Sequence, residues 1–357
     1  MIHADDINIS DLLDLTISKE ASDLHISVNL PPMIRVDGEL CKTNYYPLTI
    51  NDSQRLIYSI LSADQIENLE HTHELDFCYA APGIGRFRCN VFLERGLIAA
   101  ALRVIHDGIP TLEELGMPIV LKELARKNSG LILVTGPTGC GKSTTIAAMI
   151  DLINSERNLH IITIEDPIEY FHQHKKCMVH QRELKSDTYS FNSALRAVLR
   201  EDPDVLVVGE MRDLETIATT VTLAETGHLV FATLHTRNAP QTIDRVVDVF
   251  PPHQQEQIKV QLSNTLEAVI AQQLLPRIGG GRCAITEIMI ATAGIRNLIR
   301  ENKTYQLYSA METGSQYGMS TMDKGLADAY RDGRITYKDA ASRAIDNDNF
   351  LRLMRGY

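Results

Sequence analysis

Two kinds of hydrophobic spacing divide the chain. Up to about Ile105 the apolar positions alternate or come in short runs, in LHISV, MIRVDGEL, LDFCYA, GRFRCNVFLE and LIAAALRVI, and the runs are separated by Asp37-Gly38, Pro82-Gly83 and Arg95-Gly96. Such runs bounded by turn residues predict antiparallel strands, with Asp37-Gly38 as a hairpin turn. Ser10-Asp11 ahead of LLDL reads as the cap of a first helix. From about Leu131 onward, β-like apolar runs (LILVT, HIITIE, DVLVVGE, HLVFATLH) alternate with helix-periodic stretches such as FNSALRAVLRE and LETIATTVTLAETG. That alternation predicts a parallel sheet covered on both faces, with ligand chemistry at the carboxyl ends of its strands. Beyond Pro251-Pro252 the spacing predicts mainly helix, in QQEQIKVQLSNTLEAVIAQQL, GIRNLIRE and ITYKDAASRAI, with one strand at RCAITEIMI. Gly108 and Pro110 interrupt the pattern between the two halves. The expected organisation is a small α+β domain over residues 1–106, a linker over 107–116 and an α/β domain over 117–357 whose part from about 291 is helical.

Composition narrows the class of protein. The chain has 357 residues, 44% of them hydrophobic and 23% charged, as in ordinary globular proteins. No stretch approaches the roughly 18 uninterrupted apolar residues of a membrane span. The start, MIHADDINISDLL, lacks a positively charged segment followed by an apolar run, so no signal peptide is expected and the location expected is the cytosol. Six cysteines are scattered without a CxxC pair, which argues against a zinc clip and against a disulfide framework. A net charge of −11 disfavours a general polyanion binder, and no nucleic-acid partner is expected.

The chemistry starts at GPTGCGKSTT. The run fits GxxxxGK[ST], follows the apolar Leu131-Ile132-Leu133-Val134 and opens the helix-like IAAMIDLI, so the required strand, loop and helix are all present. Backbone N–H groups of such a loop and the positive end of the following helix surround a β-phosphate. Gly136, Pro137, Thr138, Gly139, Cys140, Gly141, Lys142, Ser143 and Thr144 are therefore expected to bind ATP. Lys142 would reach the β/γ oxygens and Ser143 would ligate Mg²⁺. The thiol of Cys140 reads as packing.

Carboxylates stand at the ends of two further strands. HIITIEDPIEY ends in Glu165-Asp166 and is stopped by Pro167. In DPDVLVVGEMRD the apolar run ends in Gly209-Glu210, like an acidic Walker B strand end with Gly in place of the usual Asp, which points to a water-mediated link to Mg²⁺. Phosphoryl transfer depends on positioning and charge stabilisation, so one carboxylate should orient the attacking water and another hold the magnesium shell. Glu165 is assigned to the water and Glu210 to the metal shell, although exchanging them would leave the pattern unaltered. The structural alternative is that these acids cap helices or pair with Arg200 and Arg212. In TGHLVFATLHT, His228 and His235 flank one strand and stand roughly 23 Å apart at about 3.3 Å per residue, so they cannot share a metal. His235 is at the carboxyl end and is expected to sense the γ-phosphate.

Taken together, GPTGCGKSTT, ITIEDPIEY, REDPDVLVVGEMRDLET and AETGHLVFATLHT resemble the Walker A, Asp box (with Asp166), Walker B and His box (with His228 and His235) of the secretion ATPase superfamily. Within it the chain resembles the PilT family of type IV pilus retraction motors, almost end to end. GIRNLIRE resembles the retraction motors' AIRNLIRE signature, with Gly294 in place of its first Ala and with Arg296, Asn297, Arg300 and Glu301 retained. The resemblance implies a PAS-like N-terminal domain, a RecA-like ATPase domain, and a homohexamer that hydrolyses ATP with Mg²⁺. It also implies that ATP lies between the domains and that N-terminal arginines close over the γ-phosphate; the matching positions are Arg86, Arg88 and Arg103. Arg245 in IDRVVDVF would complete the site or a subunit contact. The implied partner is the integral platform protein of the pilus machine, met at the cytoplasmic face of the inner membrane. The family's assembly and type II secretion members generally carry a CxxC insertion, which is missing from this sequence.

Overall fold

A computed structural model describes residues 7–36, 38–105 and 108–355. Asp37 of the expected hairpin turn, and His106 and Asp107 of the expected linker region, lie outside the described residues. The chain divides into two compact units, one ending at Gly108 and the other beginning at Ile109.

The first unit begins with helix α1 (Ile9–Ser18). Its cap is Asn8 rather than Ser10: the Asn8 side chain accepts the Asp11 N–H (2.9 Å), and the Asp11 carboxylate accepts the Asn8 N–H (3.1 Å). This reciprocal pairing satisfies two donors that a helix start leaves open. Strands β1 (Asp23–Ile26), β2 (Met33–Val36) and β3 (Glu39–Lys42) follow, then helices α2 (Ile50–Tyr58) and α3 (Ala63–Thr72), then β4 (Glu74–Ala81), β5 (Gly85–Glu94) and β6 (Leu97–Ile105). All neighbours in the sheet order β3-β2-β1-β6-β5-β4 are antiparallel. Its core gathers Leu12, Leu13, Leu24, Leu56, Phe87 and Leu102, consistent with a small α+β domain.

In the second unit the elements are α4 (Val120–Ala125), β7 (Gly130–Thr135), α5 (Lys142–Glu156), β8 (His160–Glu165), β9 (Met178–Glu183), α6 (Phe191–Val198), β10 (Val205–Val208), α7 (Leu214–Glu225), β11 (Leu229–Leu234), α8 (Ala239–Asp248), α9 (Pro252–Thr265), β12 (Leu266–Pro276) and β13 (Arg282–Ile290). Helices α10 (Ala293–Arg300), α11 (Leu307–Glu312), α12 (Met322–Arg331), α13 (Tyr337–Arg343) and α14 (Asn347–Met354) end the chain. The strand order is β13-β12-β7-β11-β10-β8-β9, parallel throughout except for β13. Strand β7 explains the apolar runs: Leu131 and Leu133 enter one core, Ile132 and Val134 the other. Both faces are buried, as expected of a parallel sheet.

One element departs from the sequence reading. The stretch read as a single helix ends at Thr265, and Leu266–Pro276 is a strand between β7 and β13. Ala268, Val269, Ile270 and Ala271 are each fully buried, so this segment is apolar on every side and carries no helical stripe. Apolar runs of that kind do not distinguish strand from buried helix by spacing alone. Edge strand β9 (MVHQRE) escaped the sequence reading because its apolar content is low.

Phe231, on central strand β11, is fully buried. Phe231→Ala is expected to lower stability by about 3–5 kcal/mol. The check is a lower thermal midpoint with the secondary structure of the folded protein retained below it.

Candidate functional site

The phosphate-loop motif joins the end of β7 to the start of α5. Its first residue, Gly136, has φ of 140°, and a Cβ there would lie 2.3 Å from the backbone oxygen of Gln272 and 2.7 Å from Cys140 Sγ. Only glycine fits this approach to β12. Pro137, Thr138 and Gly139 form the exposed crest, and Cys140 is buried beneath it. Burial pushes the Cys140 thiol above its ordinary value and outweighs the opposing influence of Lys142. The thiol is therefore protonated packing, as its position suggested. Lys142 Nζ donates to the carbonyls of Gly136 (2.9 Å) and Pro137 (3.3 Å). Both partners are neutral, so the ammonium keeps its charge available beside the loop.

Glu165 closes β8 and lines a recess of about 40 Å³ with Ser143, Thr163, Tyr170, His172, Gly209 and Thr233. Its Oε1 accepts from Thr163 Oγ1 (2.6 Å) and Gln181 Nε2 (3.3 Å). Burial is the dominant influence and raises its carboxyl to about 7, against the two hydrogen bonds that lower it. A carboxyl poised there can exchange a proton near neutrality. His172 in the same recess is pushed down to about 4 by burial, so it is neutral, and its Nδ1 has no hydrogen-bond partner among the described residues. Tyr170 bonds Thr144 Oγ1 across 3.0 Å and ties the EDPIEY segment to the first turn of α5.

Glu210 follows β10 and opens a second cleft, of about 560 Å³, whose lining includes Arg212, His235, Arg237, Gln241 and Arg245. It accepts from Arg212 (2.7 Å) and stands 3.1 Å from His235 Nε2. Partial burial raises the Glu210 carboxyl, but Arg212 and His235 outweigh it, leaving it below the ordinary value and ionised. The pairing with Arg212 that the sequence offered as a structural alternative is thus present, within a cleft that also holds His235. Arg237 and Arg245 are exposed and make no ion pair among the described residues.

Gly209 explains the missing Walker B aspartate. A Cβ there would lie 3.0 Å from the Ile164 oxygen and 3.1 Å from Glu165 Cα, while Gly209 N–H donates to that same oxygen at 2.8 Å. Gly209→Asp is expected to destabilise by about 1–3 kcal/mol through overpacking and to lower ATP turnover by displacing Glu165. A thermal scan and a phosphate-release assay read both effects.

Ser143 Oγ makes no hydrogen bond among the described residues, and the Glu210 carboxylate is ionised. These are the hard oxygen donors that Mg²⁺ prefers. No group of three or more His, Cys, Asp or Glu able to hold a metal occurs among the described residues.

The other expected site residues each have their own local partners. Asp166 is exposed at the end of β8 and acts on Arg212 by charge. His228 precedes β11 and faces Leu223 O (2.9 Å) and Thr226 Oγ1 (3.1 Å), at the far end from His235. In α10, Arg296 donates to the carbonyls of Ser263 (2.7 Å) and Asn264 (2.8 Å) and pairs with Glu267. It fastens the end of α9 to the start of β12. Arg300 reaches Ser263 Oγ at 3.4 Å, and Asn297 donates to Glu301 at 2.9 Å. In the first unit Arg88 and Arg103 are cross-strand neighbours, Arg86 lies opposite Ile105, and Arg103 bonds Asp23 at 2.9 Å.

Thr163, Gln181 and Gln272 were not singled out from the sequence. Thr163 and Gln272 are polar residues within apolar runs and Gln181 lies in the largely polar β9, and nothing local marks any of them as a partner of the site.

The family model of type II/IV secretion system proteins matches residues 111–280. The chain is 50% identical over 344 residues to the type IV pilus retraction ATPase PilT of Pseudomonas aeruginosa, covering 96% of this chain and all of that one. It is 43% identical to the type IV pilus ATPase PilU of the same organism, covering 96% of this chain and 90% of that one. Among solved structures, the pilus retraction motor PilT with bound ADP superposes with a TM-score of 0.93 at 50% identity, covering 97% of this chain and 100% of that one.

Proposed function

The chain belongs to the PilT family of secretion ATPases, and from that premise we propose that it hydrolyses ATP to power retraction of a type IV pilus and hence twitching motility. One observation supports this above the rest: Ser143 of the phosphate loop and Glu165, whose carboxyl burial raises to about 7, line the same recess.

Gly136–Thr144 cradle the phosphates, with the helix start of α5 behind them. Lys142 moves from the loop carbonyls to the β/γ oxygens. When bound, Mg²⁺ neutralises phosphate charge; Ser143 would hold it directly and Glu210 through water. Glu165 orients the attacking water and accepts its proton. His235, 3.1 Å from Glu210, reports the state of the terminal phosphate to α8. Arg86, Arg88, Arg103 and Arg245 supply guanidinium charge to the transferring phosphoryl group, a role for which a permanently charged planar cation is suited.

The working form is a homohexamer at the cytoplasmic face of the inner membrane, acting on the integral platform protein of the pilus machine. No helix among the described residues is long and apolar enough to cross a membrane. The domain division adopted is 1–106, 107–116 and 117–357.

Deleting the gene and counting pili tests the direction of the motor. Surplus pili with lost retraction is the expected outcome; bald cells would indicate an assembly motor. The second reading is an accessory motor, with which the likeness to a relative named only as a type IV pilus ATPase is compatible. In that case deletion would leave retraction running but weakened, and a second motor gene would restore it.

A further inference from the structure

Gln272 sits on β12 directly behind the phosphate loop and is 2% exposed. Both ends of its amide are taken by that loop and the helix it opens. Nε2 donates to the Cys140 carbonyl at 2.7 Å, and Oε1 accepts from Thr145 Oγ1 at 2.8 Å. A backbone carbonyl can only accept, so the amide must present its NH₂ to Cys140 and its oxygen to Thr145. The contact is close on every side: the backbone oxygen of Gln272 lies where a side chain on Gly136 would begin, and Nε2 is 3.0 Å from the Cβ position of Gly141.

This bond acts on the loop through peptide geometry. A trans peptide carries its C=O and N–H on opposite sides. With the Cys140 carbonyl turned onto Gln272, the N–H of Gly141 in the same peptide unit is directed away from β12. Among the described residues that N–H makes no hydrogen bond. A glycine-rich loop binds an anion through such outward N–H groups. If the peptide were free to rotate, the donor would be lost and a carbonyl dipole would face the phosphate. We propose that Gln272 is the positioning residue of the phosphate loop, fixing the Cys140–Gly141 peptide so that the Gly141 N–H is preset for the β-phosphate. The inference rests on the reading that this loop binds a nucleoside di- or triphosphate.

The test compares ADP with adenosine, which has the same base and sugar but no phosphate, by calorimetry on the full chain. Gln272→Met keeps the length of the side chain and removes both hydrogen bonds. Gln272→Glu keeps an acceptor for Thr145 and removes the donor to Cys140, but it also adds a buried carboxylate behind the loop, so the neutral Gln272→Met is the deciding variant. Both variants are expected to raise the ADP dissociation constant about tenfold or more, equivalent to one to two lost hydrogen bonds, and to leave adenosine binding unchanged. In turnover assays KM for ATP should rise by a similar factor, with kcat at saturation reduced less. A residue that merely filled space would alter the melting temperature without changing the ratio of ADP to adenosine affinity. A folded Gln272→Met protein whose ADP affinity stays within about twofold of the parent overturns the proposal. Should Gln272→Met fail to fold, Thr145→Val, isosteric and lacking only the hydroxyl, takes its place; about threefold weaker ADP binding supports the proposal and unchanged binding overturns it. If the parent protein itself binds no ADP, the reading of the loop falls and the proposal with it, a failure distinct from a parent that binds and variants that match it.

Discussion

Replacing Lys142 by alanine is expected to lower the steady-state rate of ATP hydrolysis by about 100- to 1000-fold, the range seen when one preorganised donor to a developing negative charge is removed. The ammonium lies at the mouth of the loop, 2.9 Å from the Gly136 oxygen and 3.3 Å from the Pro137 oxygen, and no carboxylate pairs with it among the described residues. It can therefore move to phosphate without breaking an ion pair. The side chain also adds little to the core, because Lys142 is half-buried at the first position of α5. The substitution should leave the melting temperature of the apo protein nearly unchanged. A phosphate-release assay at saturating ATP, paired with a thermal scan, separates lost chemistry from lost fold.

Glu165→Gln is expected to slow hydrolysis by about 10²- to 10⁴-fold, the contribution of a positioned general base. The amide keeps the size of the side chain and can still accept from Thr163, but it cannot take a proton. The pH profile carries further information. Burial raises the Glu165 carboxyl from its ordinary 4.5 to about 7, and the base must be ionised to work. Turnover by the parent protein should therefore rise through about pH 7, and in Glu165→Gln that limb should disappear. Stability runs the opposite way. A carboxyl whose folded value lies above its unfolded one favours the fold fully below the unfolded value, and that contribution is lost as pH rises through the folded one. Glu165 and Glu287, the latter also raised to about 7 by burial, both act in the window from about 4.5 to about 7. Activity gained with rising pH is thus accompanied by some loss of stability.

Much of this site was legible because its chemistry is tied to strand ends. Glu165, Glu210 and His235 each follow a largely apolar run, and in a parallel sheet such runs end on one edge. GxxxxGK[ST] carries its own geometry, so Gly136–Ser143 needed no tertiary information. What the sequence hid depends on contacts between distant segments. Gln272 lies 127 residues from its partner Thr145, inside a stretch whose spacing suited a helix. Its importance appears only once that stretch is a strand beside β7. Gly209 looked like a departure from a Walker B strand; the close passage of β8, whose backbone would lie 3.0–3.1 Å from a Cβ there, favours glycine. Arg296 had been marked only by resemblance to a signature, and its bonds to the α9 carbonyls give that position a physical role. Ser10-Asp11 placed the first helix correctly while misassigning its cap, because Asn8 and Asp11 satisfy the same rule two residues earlier.

The most direct test of the account is a structure of the full chain with Mg²⁺ and a non-hydrolysable ATP analogue. With the analogue bound, Lys142 is expected to leave the Gly136 and Pro137 carbonyls for the β/γ oxygens, Ser143 to contact the metal, and the Glu165 carboxylate to stand about 3 Å from a water in line with the terminal phosphate. An analogue bound with Lys142 still on the loop carbonyls and Glu165 turned away from the terminal phosphate would contradict it.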